Sequence, residues 1–360
     1  MMNPFLQSLG RRALFSFDAE TAHGMAIKAL KLNLPVAPQA RQDPRLATRL
    51  WDLDFPNPLG MAPGFDKNAE VPDAILGLGF GFVEVGTLTP KAQAGNPKPR
   101  LFRLQEDEAV INRMGFNNEG HDAACERLSG RRGNGIVGVN IGANKDSTDR
   151  IEDYVLGVRR FAPFASYLTV NISSPNTPGL RDMQARAALA ELLSRVLEER
   201  ERLALTRHVP ILLKIAPDLA DSDLEDVAAE AVTQRIDGLI ISNTTLSRAG
   251  LHSANAKEAG GMSGKPLFQR ATIALAKTRK LVGPDMKLIG VGGVDSAETL
   301  IDKIRAGADL VELYSSMVYA GPGLAGDILI GLKRFLDQRG LSSLQGLRDE
   351  TADEWAMKSL

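Results

Sequence analysis

From residue 57 onwards, short apolar runs rich in β-branched residues alternate with longer stretches whose apolar positions recur at helical spacing. Eight apolar runs have the length of a strand: residues 58–62, 82–86, 136–141, 168–172, 211–215, 238–242, 288–291 and 310–313. Helical patterns lie between them, for example over residues 182–205, 221–234, 267–282, 297–306 and 324–339. Eight alternating β and α units predict an α/β fold, a closed parallel (β/α)8 or TIM barrel.

Three other parts of the chain depart from this alternation. Residues 43–56 predict a small hairpin ahead of the first barrel strand, and residues 91–116 predict an excursion with a second hairpin. The tail, residues 340–360, is polar and carries no recognisable motif. The predicted organisation is therefore an N-terminal helical segment over residues 1–40, a barrel over residues 41–339 and a C-terminal tail.

The N-terminal segment predicts two short, amphipathic, locally basic helices. Arg11 and Arg12 interrupt the apolar residues of the first, Asp18 is a plausible N-cap for the second, and Pro35 stops it. The apolar runs are shorter than the roughly 20 residues of a spanning helix, and the segment before Arg11 is too short for a signal peptide. The pair either packs on the barrel or lies in a membrane interface.

Composition narrows the choice of partners and cofactors. The chain has 360 residues, a formal net charge of −1 and a pI near 6.5, so it carries no charge signature of nucleic-acid binding. The chain has one cysteine, Cys125, which excludes an intrachain disulfide framework and an iron–sulfur cluster held by this chain. Cys125 lies in a helical pattern, which predicts that it is a core residue. The four histidines are scattered and suggest no metal site.

Functional side chains of a TIM barrel lie just beyond the C-terminal ends of its strands, and this sequence concentrates polar residues and glycines there. In strand order they are Ala62, Pro63, Gly64, Phe65, Asp66 and Lys67; Thr87, with Asn112, Arg113, Met114, Gly115 and Phe116 on the excursion; Asn140; Asn171; Lys214; Ser242, Asn243 and Thr244; Gly293; and Tyr314 with Ser315. Any one of them could be structural, but their joint pattern indicates a site.

The stretch from Tyr167 to Leu180 is the richest part of this rim. A buried strand runs into a loop with amides and hydroxyls at Asn171, Ser174, Asn176 and Thr177. Amides can face both donors and acceptors of a planar polar ring, and an activated hydroxyl can take a proton. The alternative is an ordinary Asn/Ser/Pro-rich surface loop.

Two further features indicate a cofactor. Backbone N–H groups at residues 291–293 and 314–315, after the seventh and eighth strands, suit a phosphate. Residues 260–266 are interpreted as a second glycine-rich loop, which is weak evidence by itself. Lys214 ends an apolar strand, where it could stabilise negative charge on a reduced ring. The rim therefore predicts a phosphate-bearing aromatic cofactor with a planar, amide-rich substrate stacked on it.

Four motifs resemble those of dihydroorotate dehydrogenase, specifically its class 2 form, which is membrane-associated and reduces quinones. They are Asn-Ile-Ser-Ser-Pro-Asn-Thr-Pro-Gly-Leu-Arg at 171–181, Ile-Asn-Arg-Met-Gly-Phe-Asn at 111–117, Gly-Gly-Met-Ser-Gly-Lys-Pro-Leu at 260–267 and Ile-Gly-Val-Gly-Gly-Val at 289–294. The resemblance runs from the N-terminal helices to about Phe335. It implies an FMN-containing barrel that oxidises (S)-dihydroorotate to orotate in pyrimidine (UMP) biosynthesis.

The resemblance also implies residue roles. Ser174 matches the catalytic base that removes the C5 proton while hydride passes from C6 to the flavin. The substrate set is Lys67, Asn112, Arg113, Met114, Gly115, Phe116, Asn171, Asn176, Asn243 and Thr244. The FMN set is Ala62, Pro63, Gly64, Phe65, Asp66, Thr87, Asn140, Asn171, Lys214, Ser242, Gly264, Gly293, Tyr314 and Ser315. Ser242 stands where well-known members have Thr, a change that preserves the hydroxyl.

Serine at position 174 favours class 2, because the resembling class 1 enzymes place cysteine there. An alcohol ionises less readily than a thiol, so Ser174 needs help. We predict a proton relay through Thr177 and a water-excluding lid at Phe116.

The second substrate implied is a ubiquinone-type quinone, reached through a hydrophobic tunnel between the N-terminal helices. His23, Arg103 and Tyr314 are candidate quinone contacts. His23 could instead be a hydrogen-bonded interface histidine, and Arg103 could pair with Glu106 or Asp107. The lack of a spanning helix fits peripheral association, and the resemblance implies a monomer on the cytoplasmic face of the bacterial inner membrane.

Three alternatives remain open from the sequence. A class 1-type enzyme would reduce fumarate or NAD. Another FMN barrel, such as a dihydrouridine synthase or a dihydropyrimidine dehydrogenase domain, would act on a different substrate. A barrel that keeps FMN without turnover would be a binding or scaffold protein.

Overall fold

The computed structural model describes residues 15–32 and 42–359. Its strands are β1 (Thr48–Leu50), β2 (Leu53–Phe55), β3 (Leu59–Met61), β4 (Phe82–Leu88), β5 (Leu101–Leu104), β6 (Ala109–Asn112), β7 (Ile136–Ile141), β8 (Tyr167–Asn171), β9 (Ile211–Ile215), β10 (Gly238–Ile241), β11 (Gly261–Gly264), β12 (Lys287–Val291) and β13 (Leu310–Leu313). Its α-helices are α1 (Ala19–Lys31), α2 (Pro72–Leu76), α3 (Gly120–Ser129), α4 (Arg150–Phe161), α5 (Arg186–Arg202), α6 (Asp221–Thr233), α7 (Phe268–Val282), α8 (Ala297–Arg305), α9 (Ser315–Ala320), α10 (Leu324–Arg339) and α11 (Ala352–Ala356).

Eight parallel strands close into a barrel in the order β3, β4, β7, β8, β9, β10, β12, β13, which confirms the predicted TIM barrel. Pairing of Val311 with Leu59 joins the last strand to the first. Side chains such as Phe82, Tyr167 and Leu212 fill the lower barrel, and a larger apolar layer lies between strands and helices. Apolar burial on both faces explains why these strands read as continuous apolar runs.

The predicted hairpin ahead of the barrel is present as β1 and β2. Trp51 and Asp52 have φ of 52° and 62° in the connecting turn. The Trp51 indole N–H donates to the carbonyl of Asp237 at 2.9 Å, and Phe55 packs edge-on against Phe82. The hairpin therefore closes the barrel at the end opposite to the strand C-termini.

The excursion contains the predicted second hairpin, β5 and β6, but a third strand joins it. Residues 261–264, which we interpreted as a glycine-rich loop, form β11, and Gly261 pairs with Asn112. A Cβ on Gly261 would lie 1.9 Å from the Thr244 hydroxyl, and one on Gly264 would lie 2.4 Å from the carbonyl of Glu108. The glycines therefore permit close strand approach, and the pairing holds Asn112 above the barrel.

Helix α1 begins as predicted. The Asp18 carboxylate accepts hydrogen bonds from the N–H groups of Glu20 and Thr21, at 3.1 and 2.9 Å, and Ile27 and Leu30 are buried against the barrel. The predicted first helix and the stop at Pro35 lie outside the described residues. None of the described helices is long and apolar enough to cross a membrane.

The polar tail is anchored to the barrel. Leu344, Leu347 and Ala352 are buried, and Trp355 on α11 makes an edge contact with Phe268 at the start of α7. Cys125 is buried on α3, as predicted for a core residue. No cluster of metal-ligating residues occurs in the described part of the chain.

Candidate active site

A cavity of about 700 Å³ opens at the C-terminal ends of the barrel strands. The predicted residues that line it are Ala62, Pro63, Gly64, Phe65, Lys67, Thr87, Asn112, Met114, Gly115, Phe116, Asn171, Ser174, Asn176, Lys214, Ser242, Asn243, Thr244, Gly264, Gly293, Tyr314, Ser315, His23 and Arg103. Residues that are far apart in sequence thus converge on one volume.

Four predicted residues lie behind the wall of this cavity. Asp66 is buried and accepts from the N–H groups of Glu70 and Val71, both at 2.8 Å, so it shapes the loop after β3. The Arg113 guanidinium pairs with Glu258 at 2.7 Å, on the outer side of the excursion. Asn140 and Thr177 are also buried outside the lining of the cavity.

An amide and hydroxyl network forms the polar floor. Thr87 donates its hydroxyl to the Asn140 side-chain carbonyl at 2.5 Å. The Asn171 amide donates to the Thr87 hydroxyl at 3.0 Å and to Asn140 at 3.1 Å. Asn140 therefore orients the two lining residues, and its own NH₂ donates to Glu84 at 2.7 Å.

Two buried glutamates lie beneath this floor, inside the barrel. Glu84 accepts from Asn140, from the Thr169 hydroxyl at 2.9 Å and from the Tyr167 hydroxyl at 3.2 Å. Burial, and then the neighbouring Glu84, raise the pKa of Glu312 well above its usual range. The Lys214 ammonium, 3.7 Å from Glu312, acts on this pKa in the opposite direction.

Glu84 and Glu312 were absent from the sequence prediction, although a signal was available. Each is a charged residue in the middle of an apolar strand, Phe-Val-Glu-Val and Leu-Val-Glu-Leu, and both are fully buried. A charged residue buried in a strand usually has a polar partner. The same reasoning drew attention to Lys214. Their mutual proximity, however, is a property of the closed barrel.

The loop after β8 brings Ser174 to the wall of the cavity. Ser174 is buried, and its hydroxyl oxygen accepts a hydrogen bond from the Asn176 backbone N–H at 3.2 Å. The Asn176 side chain donates to Asn112 on β6 at 3.3 Å. Asn96, which the sequence did not single out, donates to the carbonyls of Arg113 and Asn176, at 3.0 and 3.2 Å.

The loop after β10 supplies the neighbouring wall. The Asn243 amide donates to the Ser173 hydroxyl at 3.0 Å, and its carbonyl accepts from the Thr244 N–H at 2.7 Å. The Thr244 hydroxyl is buried and has no hydrogen-bond partner within the described part of the chain. A buried polar group left unsatisfied is costly, so this hydroxyl at the cavity fits a polar ligand.

Lys67 provides a positive charge at the same site. Its ammonium donates to the Gly64 carbonyl at 2.5 Å. Burial lowers the pKa of Lys67 to about 8, although Glu20 acts in the opposite direction. Lys67 is therefore mostly protonated at neutral pH and can bind a carboxylate.

Glycines and hydroxyls at another part of the cavity form a candidate phosphate cradle. Gly264 and Gly293 have φ of 100° and 74°, which favour glycine. A Cβ on Gly293 would lie 2.5 Å from Cα of Phe268, and the Gly293 N–H donates no hydrogen bond among the described residues. The hydroxyls of Ser263 and Ser315 lie 2.7 Å apart. Such N–H and O–H donors suit a phosphate group.

Helix α1 covers the mouth of the cavity. His23 Nδ1 and the Tyr314 hydroxyl are hydrogen-bonded at 3.2 Å, and the His23 ring packs edge-on against Phe65. Burial lowers the pKa of His23 to about 3, so the ring is neutral. His23 is thus a hydrogen-bonded interface histidine that also lines the cavity.

Arg103 lines the same mouth and has partners other than those considered from the sequence. Its guanidinium donates to the Phe17 carbonyl and lies 4.7 Å from the ring centroid of Phe15. Asp107 instead accepts from the N–H groups of His252 and Ser253. Arg103 therefore attaches the start of α1 to the excursion.

A family model described as dihydroorotate dehydrogenase matches residues 45–336. The chain belongs to this family. A protein of Mesorhizobium japonicum named dihydroorotate dehydrogenase (quinone) is 64% identical over 357 residues, 99% of each chain. A Brucella melitensis protein of the same name is 62% identical over 363 residues, 100% of each chain. These relatives confirm the resemblance to class 2 dihydroorotate dehydrogenase, an oxidoreductase.

Solved dihydroorotate dehydrogenase structures share the fold. The Eimeria tenella enzyme in complex with ferulenol is 40% identical, with a TM-score of 0.89 covering 92% of this chain and 95% of that one. Its ligand-free form gives a TM-score of 0.88 at 40% identity and covers 92% and 99% of the two chains.

Proposed function

We propose that this protein oxidises (S)-dihydroorotate to orotate in pyrimidine (UMP) biosynthesis, with FMN as cofactor and a ubiquinone-type quinone as electron acceptor. One observation carries the proposal. Ser174, the asparagines at 112, 171, 176 and 243, and Lys67 line one cavity, beside a glycine and hydroxyl cradle. Family membership and the names of the relatives support the same reaction.

The residues present fit FMN. Gly264, Gly293 and Ser315 would hold its phosphate, while Thr87, Asn171 and Lys214 would face the polar edge of its ring. FMN held by these residues would supply the acceptor chemistry for a hydride from C6 of the substrate and for electron transfer to a quinone. Lys214 would supply positive charge in a buried setting, where electrostatic stabilisation is strong.

The amide set and Lys67 fit dihydroorotate. The substrate ring alternates N–H and C=O groups, and asparagine side chains can meet both. The hydrogen bonds from Asn176 to Asn112 and from Asn243 to Ser173 preset the directions of these amides before substrate binds. The Lys67 ammonium would pair with the substrate carboxylate.

Ser174 would act as the base that takes the C5 proton. Its hydroxyl oxygen already accepts the Asn176 N–H, which would stabilise negative charge as the proton moves. Phe116 lines the cavity and would exclude water, and Thr177 is buried three residues beyond the base. We keep the relay through Thr177 as a hypothesis.

Quinone would enter beneath α1. Ala19, Ala22 and Ala26 of this helix present small apolar side chains to the cavity, next to the hydrogen-bonded pair of His23 and Tyr314. Phe17, Met25 and Leu32 are exposed large apolar residues on or beside α1, 46%, 39% and 71% accessible. They support peripheral binding to a membrane surface. We propose that this surface is the cytoplasmic face of the inner membrane and that the protein is a monomer.

The test is anaerobic mixing of the purified protein with dihydroorotate, followed by separate addition of ubiquinone, fumarate or NAD. We expect dihydroorotate to bleach the flavin absorbance and quinone alone to restore it rapidly. The Ser174→Ala variant should bind flavin but be bleached far more slowly. Fast reoxidation by fumarate or NAD would contradict the quinone assignment. A flavin that dihydroorotate leaves oxidised would indicate another substrate or an FMN scaffold.

A further inference from the structure

The Arg181 guanidinium joins the loops that follow three consecutive barrel strands. Its Nε donates to the Ser173 carbonyl at 3.1 Å, on the loop after β8. One terminal nitrogen donates to the Thr244 carbonyl at 3.1 Å, on the loop after β10. The other donates to the Asp218 carboxylate at 3.1 Å, on the loop after β9. Arg181 therefore spans the two walls on which the base and the substrate amides lie.

Asp218 extends this connection. Its carboxylate also accepts the Thr245 hydroxyl and the Leu246 N–H, the latter at 3.0 Å. It thus holds the loop after β10 at Thr245 and Leu246, next to the Thr244 carbonyl that Arg181 contacts. The pairing of Arg181 with Asp218 is itself partly exposed, since the side chains are 22% and 19% accessible, so by itself it contributes little free energy.

We propose that Arg181 is a positioning residue for proton abstraction, because it sets the separation between Ser174 on one loop and Asn243–Thr244 on the other. The inference rests on the proposed dihydroorotate oxidation. Ser173, whose carbonyl Arg181 holds, is bonded to Ser174, and its hydroxyl accepts the Asn243 amide. A shift of either loop would change the distance between the base and the substrate carbon.

Holding two loops at a fixed separation requires the planar guanidinium of arginine. Three donors of one rigid guanidinium reach two carbonyls and a carboxylate in different directions. A lysine in this place keeps the positive charge beside Asp218 but presents one flexible ammonium, which cannot bridge both carbonyls in a fixed geometry. Misplacing a catalytic group by about 1 Å costs up to about 100-fold in rate.

The experiment compares Arg181→Lys and Arg181→Gln with wild type, all loaded with FMN. The matched control is Arg207→Gln, because Arg207 donates to the carbonyls of Ala162 and Ala165, at 2.8 and 2.7 Å, at the opposite end of the barrel. Stopped-flow absorbance measures flavin reduction by dihydroorotate and reoxidation by quinone separately. Calorimetry gives the dissociation constant of orotate, and thermal unfolding checks that each variant is folded.

We expect both Arg181 variants to slow flavin reduction by about 10- to 100-fold and to weaken orotate binding, with reoxidation unchanged. Arg207→Gln should alter neither half-reaction. Reduction within twofold of wild type in Arg181→Gln would overturn the inference, as would full recovery in Arg181→Lys. Equal losses in both half-reactions would overturn it too, because general damage would then explain them. A wild-type protein that dihydroorotate fails to bleach would overturn the proposed function and, with it, this inference.

Discussion

Replacing Glu20 with glutamine should loosen α1 from the barrel. The Glu20 carboxylate receives two hydrogen bonds from the Arg100 guanidinium, at 2.7 and 3.1 Å, and it lies 3.3 Å from the Lys98 ammonium. The Arg100 side chain is only 7% accessible, and its other terminal nitrogen donates to the carbonyls of Ala94 and Asn96. These two carbonyl contacts should keep Arg100 buried in the Glu20→Gln variant, without its counter-charge.

The magnitude follows from this geometry. A hydrogen bond to a charged group contributes about 1.5–3 kcal/mol, and the Glu20 side chain is 19% accessible, which weakens the interaction. Glutamine retains a hydrogen-bond acceptor, so the substitution should remove about 2 kcal/mol of the free energy that holds α1 on the barrel. Since about 1.4 kcal/mol corresponds to a factor of ten, the equilibrium for opening of α1 should shift by about 30-fold.

Hydrogen exchange of the α1 amides measures this equilibrium directly. We expect exchange about 30-fold faster in Glu20→Gln over α1, with the barrel strands unchanged. Turnover with long-chain quinone should fall while flavin reduction by dihydroorotate stays at the wild-type rate. The matched control is Lys31→Gln on the same helix, because Lys31 pairs with Glu70 but is 47% accessible, so its loss should change exchange only slightly.

Three results would refute the reasoning. Unchanged exchange over α1 in Glu20→Gln would mean that the buried pair does not hold the helix in place. Equally accelerated exchange over the barrel strands would mean that the substitution lowers global stability instead of opening one helix. Loss of both flavin reduction and quinone turnover would mean that α1 has no specific role in the quinone reaction.

Three further predictions concern the cavity. Orotate affinity should be constant at neutral pH and fall as pH rises through about 8, because Lys67, with its pKa lowered to about 8, loses its positive charge there. Calorimetry at a series of pH values measures this affinity, and the Lys67→Met variant should show no such dependence on pH. Thr177→Val should slow flavin reduction well beyond any change in dihydroorotate affinity, and equal rates in stopped-flow would contradict the relay. Tyr314→Phe removes the hydroxyl bonded to His23 and should raise the KM for quinone by about 2- to 10-fold without slowing flavin reduction; an unchanged KM would place quinone elsewhere.

The strand pattern predicted the barrel closely because its information is local. A strand buried on both faces reads as a short apolar run, and the N-cap of α1 needs only Asp18 beside the first turn. The same reasoning was wrong for the glycine-rich stretch at 260–264, which it predicted to be a loop and which forms β11. Its pairing with β6 depends on residues about 150 positions away, and glycine itself disfavours strand.

Much of the candidate site was also predictable, since the strand ends of a parallel barrel meet at one rim. Asparagines, glycines and a lysine at those ends therefore converge on one cavity whatever their spacing in sequence. The residues behind them were not predictable in this way. Asn96 and Arg181 lie on loops, where an amide or a guanidinium is common, and their bridging contacts exist only between segments that the fold brings together.

The sequence by itself determined the barrel, its functional rim and the family motifs, because alternation of apolar and polar residues and short motifs are properties of neighbouring positions. Tertiary structure alone decided the close approach of the buried Glu84 and Glu312, the arginine that bridges three loops, and the docking of α1 over the cavity through Glu20 and Arg100. Each of these depends on distances of a few ångströms between residues tens to hundreds of positions apart. Such distances arise only when the whole barrel closes.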